Sequence, residues 1–250
     1  MSDMELNIIN MYPDVLNLYG DSGNIICIKQ RAKWRGITLN IQDLTVSSDV
    51  QVNEDIDMIL IGGGSDSGQS TVATNLLKQA PAIENYIEND GVILAISGSY
   101  QMFGQTYIDP NNNKLPCLEL LDIDSISQGE KLMGNIVTKA NLDFSKVSQN
   151  LDTLVGFESH TARTKHNYEP LGIVQAGFGN NGEDKTEGAV YKNFIGTYLH
   201  GPILPKNPHL ADYMILKALE NKYNIDKLDD LDDEIEINAH NSMVNKILTK

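Results

Sequence analysis

Two short, wholly apolar segments constrain the fold of this chain most strongly. Met58–Ile61 is followed at once by Gly62–Gly64, and Val92–Ile96 is followed by Ser97 and Gly98. A short apolar segment that ends in a glycine turn is typical of a strand buried on both faces of a parallel sheet. The two segments therefore predict interior strands, with the residues that carry chemistry at their carboxyl ends.

The surrounding sequence alternates between strand and helix patterns. Leu6–Met11 and Ile37–Leu44 alternate apolar and polar residues and predict two further strands. Apolar residues at helical spacing begin after Asp21, where capping residues cluster, and stop at Gly36; the same spacing recurs over Leu76–Ile87. Repeated strand–helix units predict an α/β fold of three layers, with a mainly parallel sheet and helices on both of its faces.

Beyond Leu115 the pattern changes to short strands separated by Gly, Asn and Asp turns. The predicted strands are Ile123–Ile126, Gly134–Thr138, Thr153–Phe157, Gly172–Gln175, Ala189–Tyr191 and Ile195–Leu199. An amphipathic helix is predicted over Ala211–Lys222. Because no repeat or Pro/Ser-rich linker divides the chain, residues 1–250 are expected to form one domain, with a core over roughly 6–225 and an acidic helical tail over roughly 226–250.

The charge balance excludes several kinds of partner. There are 19 Lys and Arg residues against 34 Asp and Glu residues, a formal net charge of −15. This argues against nucleic acid and against an anionic membrane surface. No apolar segment is longer than Val92–Ile96, far short of the ~20 residues that span a bilayer, so no membrane insertion is expected. The start of the chain has no signal-peptide pattern, so a cytoplasmic protein with reduced Cys27 and Cys117 is predicted.

Three candidate features lie at predicted strand ends. Gly62–Gly64 could present backbone N–H groups to an oxyanion, or could form a plain tight turn. Ser97 stands at a strand-to-helix elbow, as a nucleophile would, although the G-x-S-x-G signature is absent and an N-cap role is the alternative. His200 follows a strand and precedes Gly201, a placement that suits a general base but also an ordinary histidine of the surface or core. No nucleotide-binding glycine motif is present, so no cofactor is expected.

The order and spacing of these features resemble the GatD-type glutamine amidotransferase subunits of lipid II isoglutaminyl synthase, which are relatives of the glutaminase domains of cobyric acid synthases. The similarity runs from about residue 6 to about residue 225. The matching stretches are Leu16–Asn24, Ile61–Asp66, Gly98–Gln101, Val155–His160, Arg163–Thr164, Tyr191–Asn193 and Gly196–Pro205.

The resemblance implies a flavodoxin-like class I amidotransferase fold and a set of roles. The subunit would hydrolyse glutamine and pass ammonia to a MurT-like Mur ligase partner, which uses ATP and magnesium to amidate the D-glutamate of the lipid II stem peptide to D-isoglutamine. Carried over by motif, His200 would be the base, and Gly63, Gly64 and Gly98 would supply oxyanion N–H groups. Gln101 and Lys131 would bind glutamine.

Two positions depart from the family. Ser97 stands where the family has its nucleophilic cysteine, and Lys131 stands where it has a substrate-holding arginine. A serine hydroxyl must lose its proton during attack and needs a well-oriented base, but residue 202 is Pro rather than the Glu of many class I enzymes. The orienting group would have to be Asp21, Glu158 or an acid of the partner.

Three interpretations of Ser97 remain open: an introduced change, a natural subunit that has lost glutaminase activity but still binds and stabilises or regulates its ligase, or a working serine nucleophile. The second departure, at Lys131, favours natural divergence. His160 could line the same pocket or make a structural hydrogen bond. The acidic stretch 226–236 could be a solvated helix start or a docking tail for the ligase.

Overall fold

The computed structural model describes residues 4–147 and 150–249. Its strands are β1 (Glu5–Met11), β2 (Thr38–Leu44), β3 (Met58–Ile61), β4 (Val92–Ile96), β5 (Thr106–Ile108), β6 (Lys114–Leu115), β7 (Ile123–Ala140), β8 (Thr153–His166), β9 (Gly172–Ala176), β10 (Thr186–Glu187), β11 (Ala189–Tyr191) and β12 (Phe194–Thr197). Its helices are α1 (Ser22–Trp34), α2 (Asp66–Glu88), α3 (Gly98–Met102), α4 (Ile203–Lys206), α5 (Pro208–Tyr223) and α6 (Glu234–Leu248).

The predicted parallel sheet is present. Its six strands lie in the order β11-β12-β4-β3-β1-β2, and all neighbours are parallel except β11, which runs antiparallel to β12 at one edge. The strands β3 and β4 are buried along their whole length, as their continuous apolar sequences predict. The α/β fold class is thereby confirmed.

The core lies on both faces of this sheet because successive side chains of a strand point to opposite faces. Leu60 and Leu94 join one apolar cluster, and their neighbours Ile59 and Ile93 join the other. Helix α5 packs on the first face, and seven of its ten buried residues belong to the apolar cluster there. The sheet is therefore held rigidly from both sides, which fixes the positions of its strand ends.

A second, mainly antiparallel sheet was not predicted as a separate unit. Its order is β10-β9-β7-β5-β6, and β8 pairs with β7. The predicted strands Ile123–Ile126 and Gly134–Thr138 are two parts of the single strand β7, whose pairing with β8 shifts register between Ser127 and Leu132. The intervening residues 128–131 are polar or glycine, so the apolar alternation is lost there although the strand continues.

Helix α2 also differs from the prediction, since it begins ten residues earlier, at Asp66. The Ser65 side chain caps it by accepting a hydrogen bond from the Gly68 N–H at 3.3 Å. Its first turns are rich in Ser, Thr and Gly, residues that lower helix propensity and hide the apolar period. The cysteines agree with the prediction, because Cys27 and Cys117 are both free.

The acidic stretch 226–236 is not merely solvated. Asp233 is buried and its carboxylate accepts hydrogen bonds from Arg31 at 2.7 Å. Asp212 on α5 binds the same guanidinium at 2.6 Å and also binds Arg35 at 2.7 Å. These ion pairs join α1, α5 and the segment before α6. The sequence suggested either a solvated helix start or a docking tail. Neither interpretation includes the structural role of Asp233, which binds Arg31 inside the protein.

Replacing Asp212 by alanine is expected to lower the free energy of unfolding by roughly 3 kcal/mol, because it leaves Arg35 without this carboxylate in a buried setting. Urea unfolding followed by circular dichroism measures the effect. Lys146→Ala is the matched control, since its ion pair with Glu220 is largely exposed to solvent and is expected to contribute less than about 1 kcal/mol. Equal effects of the two substitutions would contradict the assignment.

Candidate active site

Three neighbouring strands bring the predicted residues to one edge of the parallel sheet. The register pairs Ile61 at the end of β3 with Ala95 of β4, and Ile96 at the end of β4 with Thr197 of β12. The residues that follow these strands, Gly62–Gly64, Ser97 and His200, therefore emerge side by side. Carboxyl ends of parallel strands are the usual place for a ligand in such a sheet.

Ser97 occupies a strained elbow between β4 and α3. Its backbone has φ 53° and ψ −110°, a conformation that residues with a side chain rarely adopt. The N–H of Ser97 donates to the Thr197 carbonyl at 2.7 Å, and its carbonyl accepts from Gln101 at 3.0 Å. Although Ser97 precedes the helix, its side chain makes no capping hydrogen bond. The hydroxyl is therefore not occupied by a capping hydrogen bond, and the turn holds it as a nucleophile elbow would.

The imidazole of His200 lies against the same glycine loop. A methyl group built on Gly63 would lie 2.6 Å from His200 Cε1 and 3.3 Å from Ser97 Cβ. The His200 ring and the Ser97 side chain therefore lie on either side of the same point. The distance between His200 Cε1 and Ser97 Cβ cannot exceed the sum of these two distances. His200 is pinned through its backbone, which exchanges hydrogen bonds of 2.8 and 3.1 Å with Phe157 of β8. Both ring nitrogens are buried without a hydrogen-bond partner among the described residues.

Asp21 is the carboxylate beside this histidine. Its Oδ2 lies 3.6 Å from His200 Nδ1, and both side chains are almost fully buried. The same oxygen accepts the Gly63 N–H at 2.7 Å, while Oδ1 has no partner in the part of the chain that is described. Asp21 sits at the N-cap of α1 but does not cap it. Its carboxylate faces the site instead. Of Asp21 and Glu158, the two acids of this chain suggested to orient His200, Asp21 is therefore the one beside the imidazole.

Glu158, the other acid considered within the chain, is committed elsewhere. It is fully buried and accepts the N–H groups of Phe178 and Gly179 at 2.7 and 2.8 Å. Burial raises the pKa of its carboxyl group to about 7. No hydrogen bond or ion pair joins it to His200 in the residues described. The structure therefore favours Asp21 over Glu158 as the neighbour of the base.

The three predicted oxyanion glycines are placed differently from one another. The Gly63 N–H is donated to Asp21 and is not available in this conformation. No acceptor among residues 4–147 and 150–249 takes the N–H of Gly64 or Gly98. A Cβ on Gly98 would collide with Gln69 Nε2 and lie 3.0 Å from the Gly64 carbonyl oxygen, so a larger residue there would require the Gln69 side chain to move. The assignment of oxyanion donors stays a prediction, and for Gly63 it requires Asp21 to move.

Gln101, predicted to contact glutamine, is used inside the protein. It is buried, and its Nε2 donates to the Tyr198 hydroxyl at 3.0 Å. That hydroxyl is also 2.5 Å from Thr164 Oγ1. The side-chain amide thus ties α3 to the end of β12 and to β8. This position was assigned from the motif alone, and its contact with glutamine stays a prediction.

Lys131 lies in the interrupted part of β7, is exposed and forms no ion pair in the described residues. The neighbouring backbone is held by Arg163, whose Nη1 donates to the carbonyls of Glu130 at 3.1 Å and Thr161 at 2.9 Å. Leu132 pairs with His160 across the hairpin. No contact brings the Lys131 ammonium to Ser97 or His200, so its role with a substrate carboxylate stays a prediction.

His160 lies under the site rather than free in a pocket. Its ring stacks on Tyr198 with centroids 3.7 Å apart, and its Nδ1 is 2.9 Å from the Ala162 carbonyl. Burial lowers the pKa of the imidazole to about 4, so the ring is neutral at pH 7. The hydrogen-bonding interpretation of this residue agrees with the structure, although Nε2 has no partner among the described residues.

A second buried carboxylate supports the strand that leads to His200. Glu187 accepts hydrogen bonds from Thr197 Oγ1 at 3.0 Å and from the Tyr198 N–H at 2.7 Å. Burial raises the pKa of Glu187 to about 8. The folded chain therefore keeps a proton that the unfolded chain releases near the ordinary carboxyl pKa, so stability falls as the pH rises between those two values.

Glu187→Gln, which cannot titrate, is expected to remove this dependence. At each pH, the free energy of unfolding of the variant is subtracted from that of the unsubstituted chain. This difference should be larger at pH 5.5 than at pH 8 by at least about 1.4 kcal/mol, which corresponds to one pKa unit. Urea unfolding of both proteins at the two pH values measures the difference. A difference that is constant, or that grows with pH, would show that the Glu187 pKa is not raised.

Tyr19 is the contributor that the sequence analysis missed. It lies in a 3-10 turn, Leu18–Gly20, with φ 58°, and its ring is edge-on to His200 at a centroid distance of 5.0 Å. The signal was present in the sequence, because residues 12–21 follow the carboxyl end of β1 and so must reach the same edge of the sheet. A tyrosine in that loop has no motif of its own, however, and was not singled out.

Comparison of the sequence with known proteins shows the family to which the chain belongs. The model of the CobB/CobQ-like glutamine amidotransferase domain matches residues 7–208. The GatD subunit of lipid II isoglutaminyl synthase (glutamine-hydrolyzing) from Staphylococcus aureus is 41% identical over 97% of this chain and 96% of its own length. The chain belongs to the GatD family. The GatD subunit from Streptococcus pneumoniae is 37% identical over 89% of this chain and 84% of its own length.

More distant relatives share part of the sequence or the fold alone. A cobyric acid synthase from Listeria innocua is 29% identical over 77% of this chain but only 40% of its own length. Among solved structures, PurLQS from Thermotoga maritima matches with a TM-score of 0.53 at 13% identity, covering 88% of this chain and 99% of that one. A glutamine amidotransferase from the same organism has a TM-score of 0.51 at 12% identity. At such identities these structures show the class I amidotransferase fold alone.

Two general features complete the description of this GatD family member. Among the residues that the structure describes, no helix combines the length and apolar character needed to cross a membrane. Within the same residues, no cluster of three or more His, Cys, Asp or Glu side chains is arranged to hold a metal ion.

Proposed function

We propose that this chain is the glutamine-hydrolysing subunit of a cytoplasmic lipid II isoglutaminyl synthase and that it supplies ammonia to a MurT-type Mur ligase partner. The names of the two GatD relatives support the synthase role. The observation that carries the hydrolytic role is the strained elbow at Ser97, which faces His200 across Gly63. A residue held in so unfavourable a backbone conformation is typical of a catalytic position.

The proposed reaction begins when Ser97 Oγ attacks the side-chain amide carbon of glutamine. His200 takes the hydroxyl proton and gives it to the departing nitrogen, which leaves as ammonia. The resulting glutamyl ester is attacked by water, which His200 activates, and glutamate is released with Ser97 restored. The free N–H groups of Gly64 and Gly98 would stabilise the negative oxygen formed in each step. Asp21 would orient the imidazole.

The rest of the synthase reaction belongs to the partner. ATP and magnesium would be bound there to activate the α-carboxyl of D-glutamate in the lipid II stem peptide, which ammonia converts to D-isoglutamine. This subunit would need no cofactor of its own. Lys131 would contact the glutamine carboxylate as a single positive charge, without the two-pronged contact of an arginine. Gln101, whose Nε2 donates to Tyr198, would be the second substrate contact.

A second candidate function is a catalytically silent subunit that stabilises or regulates the ligase. Two observations favour it. Ser97 offers a hydroxyl where the resemblance implies a thiol, and a hydroxyl depends far more on its base. The base is not yet oriented, because His200 Nδ1 is 3.6 Å from Asp21, beyond an ordinary hydrogen bond. Both candidates require the same complex, but they differ in the source of nitrogen.

The test is ATP-dependent amidation of lipid II by the reconstituted complex, with either glutamine or ammonium chloride as the nitrogen donor. The glutaminase proposal expects product with glutamine and release of glutamate in equal amount. The silent-subunit alternative expects product with ammonium alone, at a rate that rises when this chain is added to the ligase. If the chain neither binds the ligase nor changes either rate, both candidates are wrong.

A further inference from the structure

The segment Asn17–Asp21 lies across the site just described. Its backbone is fixed on the glycine loop, because the Leu18 N–H donates to the Gly63 carbonyl at 2.9 Å. Two consecutive residues, Tyr19 with φ 58° and Gly20 with φ 79°, are left-handed. Only the first of these bears a side chain, and such a conformation persists only when its surroundings hold it.

The Tyr19 side chain separates the imidazole from solvent. Its ring lies edge-on to His200 and to Phe157, with centroid distances of 5.0 and 5.6 Å. Its hydroxyl is 2.8 Å from Ser159 Oγ. Tyr19 is 42% exposed, whereas His200 is 0% and Ser97 only 6% exposed. Tyr19 therefore lies between solvent and the two buried residues, Ser97 and His200.

Asp21, at the other end of the segment, accepts a hydrogen bond from a backbone N–H of the site. Asp21 Oδ2 accepts the Gly63 N–H at 2.7 Å and stands 3.6 Å from His200 Nδ1. Asp21 Oδ1 and both nitrogens of His200 are buried with no hydrogen-bond partner among the described residues. Buried polar atoms without partners are unfavourable. Three of them in one place indicate that these groups bind something else in another state of the site.

We propose that Asn17–Asp21 is a cover that keeps glutamine out in this state, and that it opens by giving up two contacts. One is the Tyr19 hydroxyl with Ser159; the other is Asp21 with the Gly63 N–H. Opening removes the ring from above His200 and lets the Asp21 carboxylate pass from the amide to the imidazole. The same motion would expose the site, free an oxyanion donor and orient the base. This inference rests on the proposed glutamine site.

The test uses a thiol at position 97 as a reporter of access, so it needs no glutaminase activity. Ser97→Cys is alkylated with iodoacetamide, a small amide, and the modified peptide is quantified by mass spectrometry, which separates it from Cys27 and Cys117. The rate is compared in the same background for Tyr19→Ala, Tyr19→Phe and Ser159→Ala. Tyr223→Ala is the matched control, since Tyr223 is 37% exposed and its hydroxyl also makes hydrogen bonds, but to Glu5, where β1 begins.

Tyr19→Ala is expected to raise the alkylation rate about tenfold or more by increasing the open fraction. Tyr19→Phe and Ser159→Ala should each raise it about fivefold, the effect of one lost hydrogen bond. Tyr223→Ala should leave it unchanged. The rate measured against pH separates access from reactivity, because greater access raises the plateau whereas a changed thiol pKa moves the midpoint. Added glutamine should slow alkylation most in the Tyr19→Ala background.

The cover is refuted if Tyr19→Ala alkylates no faster than Ser97→Cys alone, if only the midpoint moves, or if Ser97→Cys already reacts as fast as the unfolded chain. The proposed function fails separately. If the alkylation rates follow the expected order but glutamine neither protects the thiol nor yields glutamate in any variant, the segment is a cover over a site with another ligand.

Discussion

Glutamate release from glutamine is expected to rise about 100-fold or more when Ser97 is replaced by cysteine. The substitution puts a thiol, which ionises near neutral pH, where a hydroxyl now depends on full deprotonation by His200 during attack. The elbow backbone need not change, because the strained φ is set by the hydrogen bonds of Ser97 to Thr197 and Gln101. The gain comes from the nucleophile alone and should appear in kcat more than in KM.

Coupled detection of glutamate, with and without the ligase partner, measures this rate. Ser99→Cys is the control, since Ser99 lies in the short helix that follows the elbow, but its hydroxyl is donated to the Gly62 carbonyl at 2.5 Å. Ser99→Cys should give no gain. If Ser97→Cys also gives none when the partner is present, the remaining groups of the site are not competent and the silent-subunit function is favoured.

Alanine at position 63 is expected to abolish most of the activity regained by Ser97→Cys, with a loss of about 100-fold or more. A Cβ there would lie 2.6 Å from the His200 ring, 3.2 Å from Asp21 Oδ2 and 3.3 Å from Ser97 Cβ. Real Cβ atoms essentially never approach to the first of these distances. The added methyl group must therefore push the base away from the nucleophile, and reactive groups displaced by about 1 Å lose most of their effect.

Gly134→Ala supplies the comparison, because a Cβ at Gly134 on β7 would meet nothing within 4 Å. Both variants are made in the Ser97→Cys background and are examined by urea unfolding as well as by glutamate release. We expect Gly134→Ala to keep its activity. A fully active Gly63→Ala protein would mean that the ring and the elbow do not act together, and the assignment of His200 as the base would have to be given up.

The parallel sheet could be predicted from the sequence because its strands are marked by composition. Met58–Ile61 and Val92–Ile96 are predicted with the observed bounds, since a strand buried on both faces must be apolar throughout. The candidates Ser97 and His200 follow from the same rule, because whatever comes after such strands meets at one edge. The order of the strands, which places β12 beside β4, was not predicted, because the sequence pattern does not show which strands are neighbours.

Other parts of the site could not be predicted because they depend on contacts remote in the chain. Asp21 appeared as one of several possible acids, and only its 3.6 Å approach to His200 distinguishes it from Glu158. The sequence places the loop of Tyr19 at this edge of the sheet, but the position of the side chain over the His200 ring depends on how the loop after β1 folds back. Asp233 likewise looks solvated in an acidic stretch, until the fold brings Arg31 to it.

The hairpin of β7 and β8 lies outside the parallel sheet, yet Phe157 on β8 fixes the backbone of His200 through two hydrogen bonds. The elbow of Ser97 and the imidazole of His200 are thus anchored to different sheets. A chimera that exchanged this hairpin between two homologues would transplant the anchor of the imidazole while leaving the serine untouched. The position of His200 relative to Ser97 would then depend on the source of the hairpin, even though the hairpin contains neither residue.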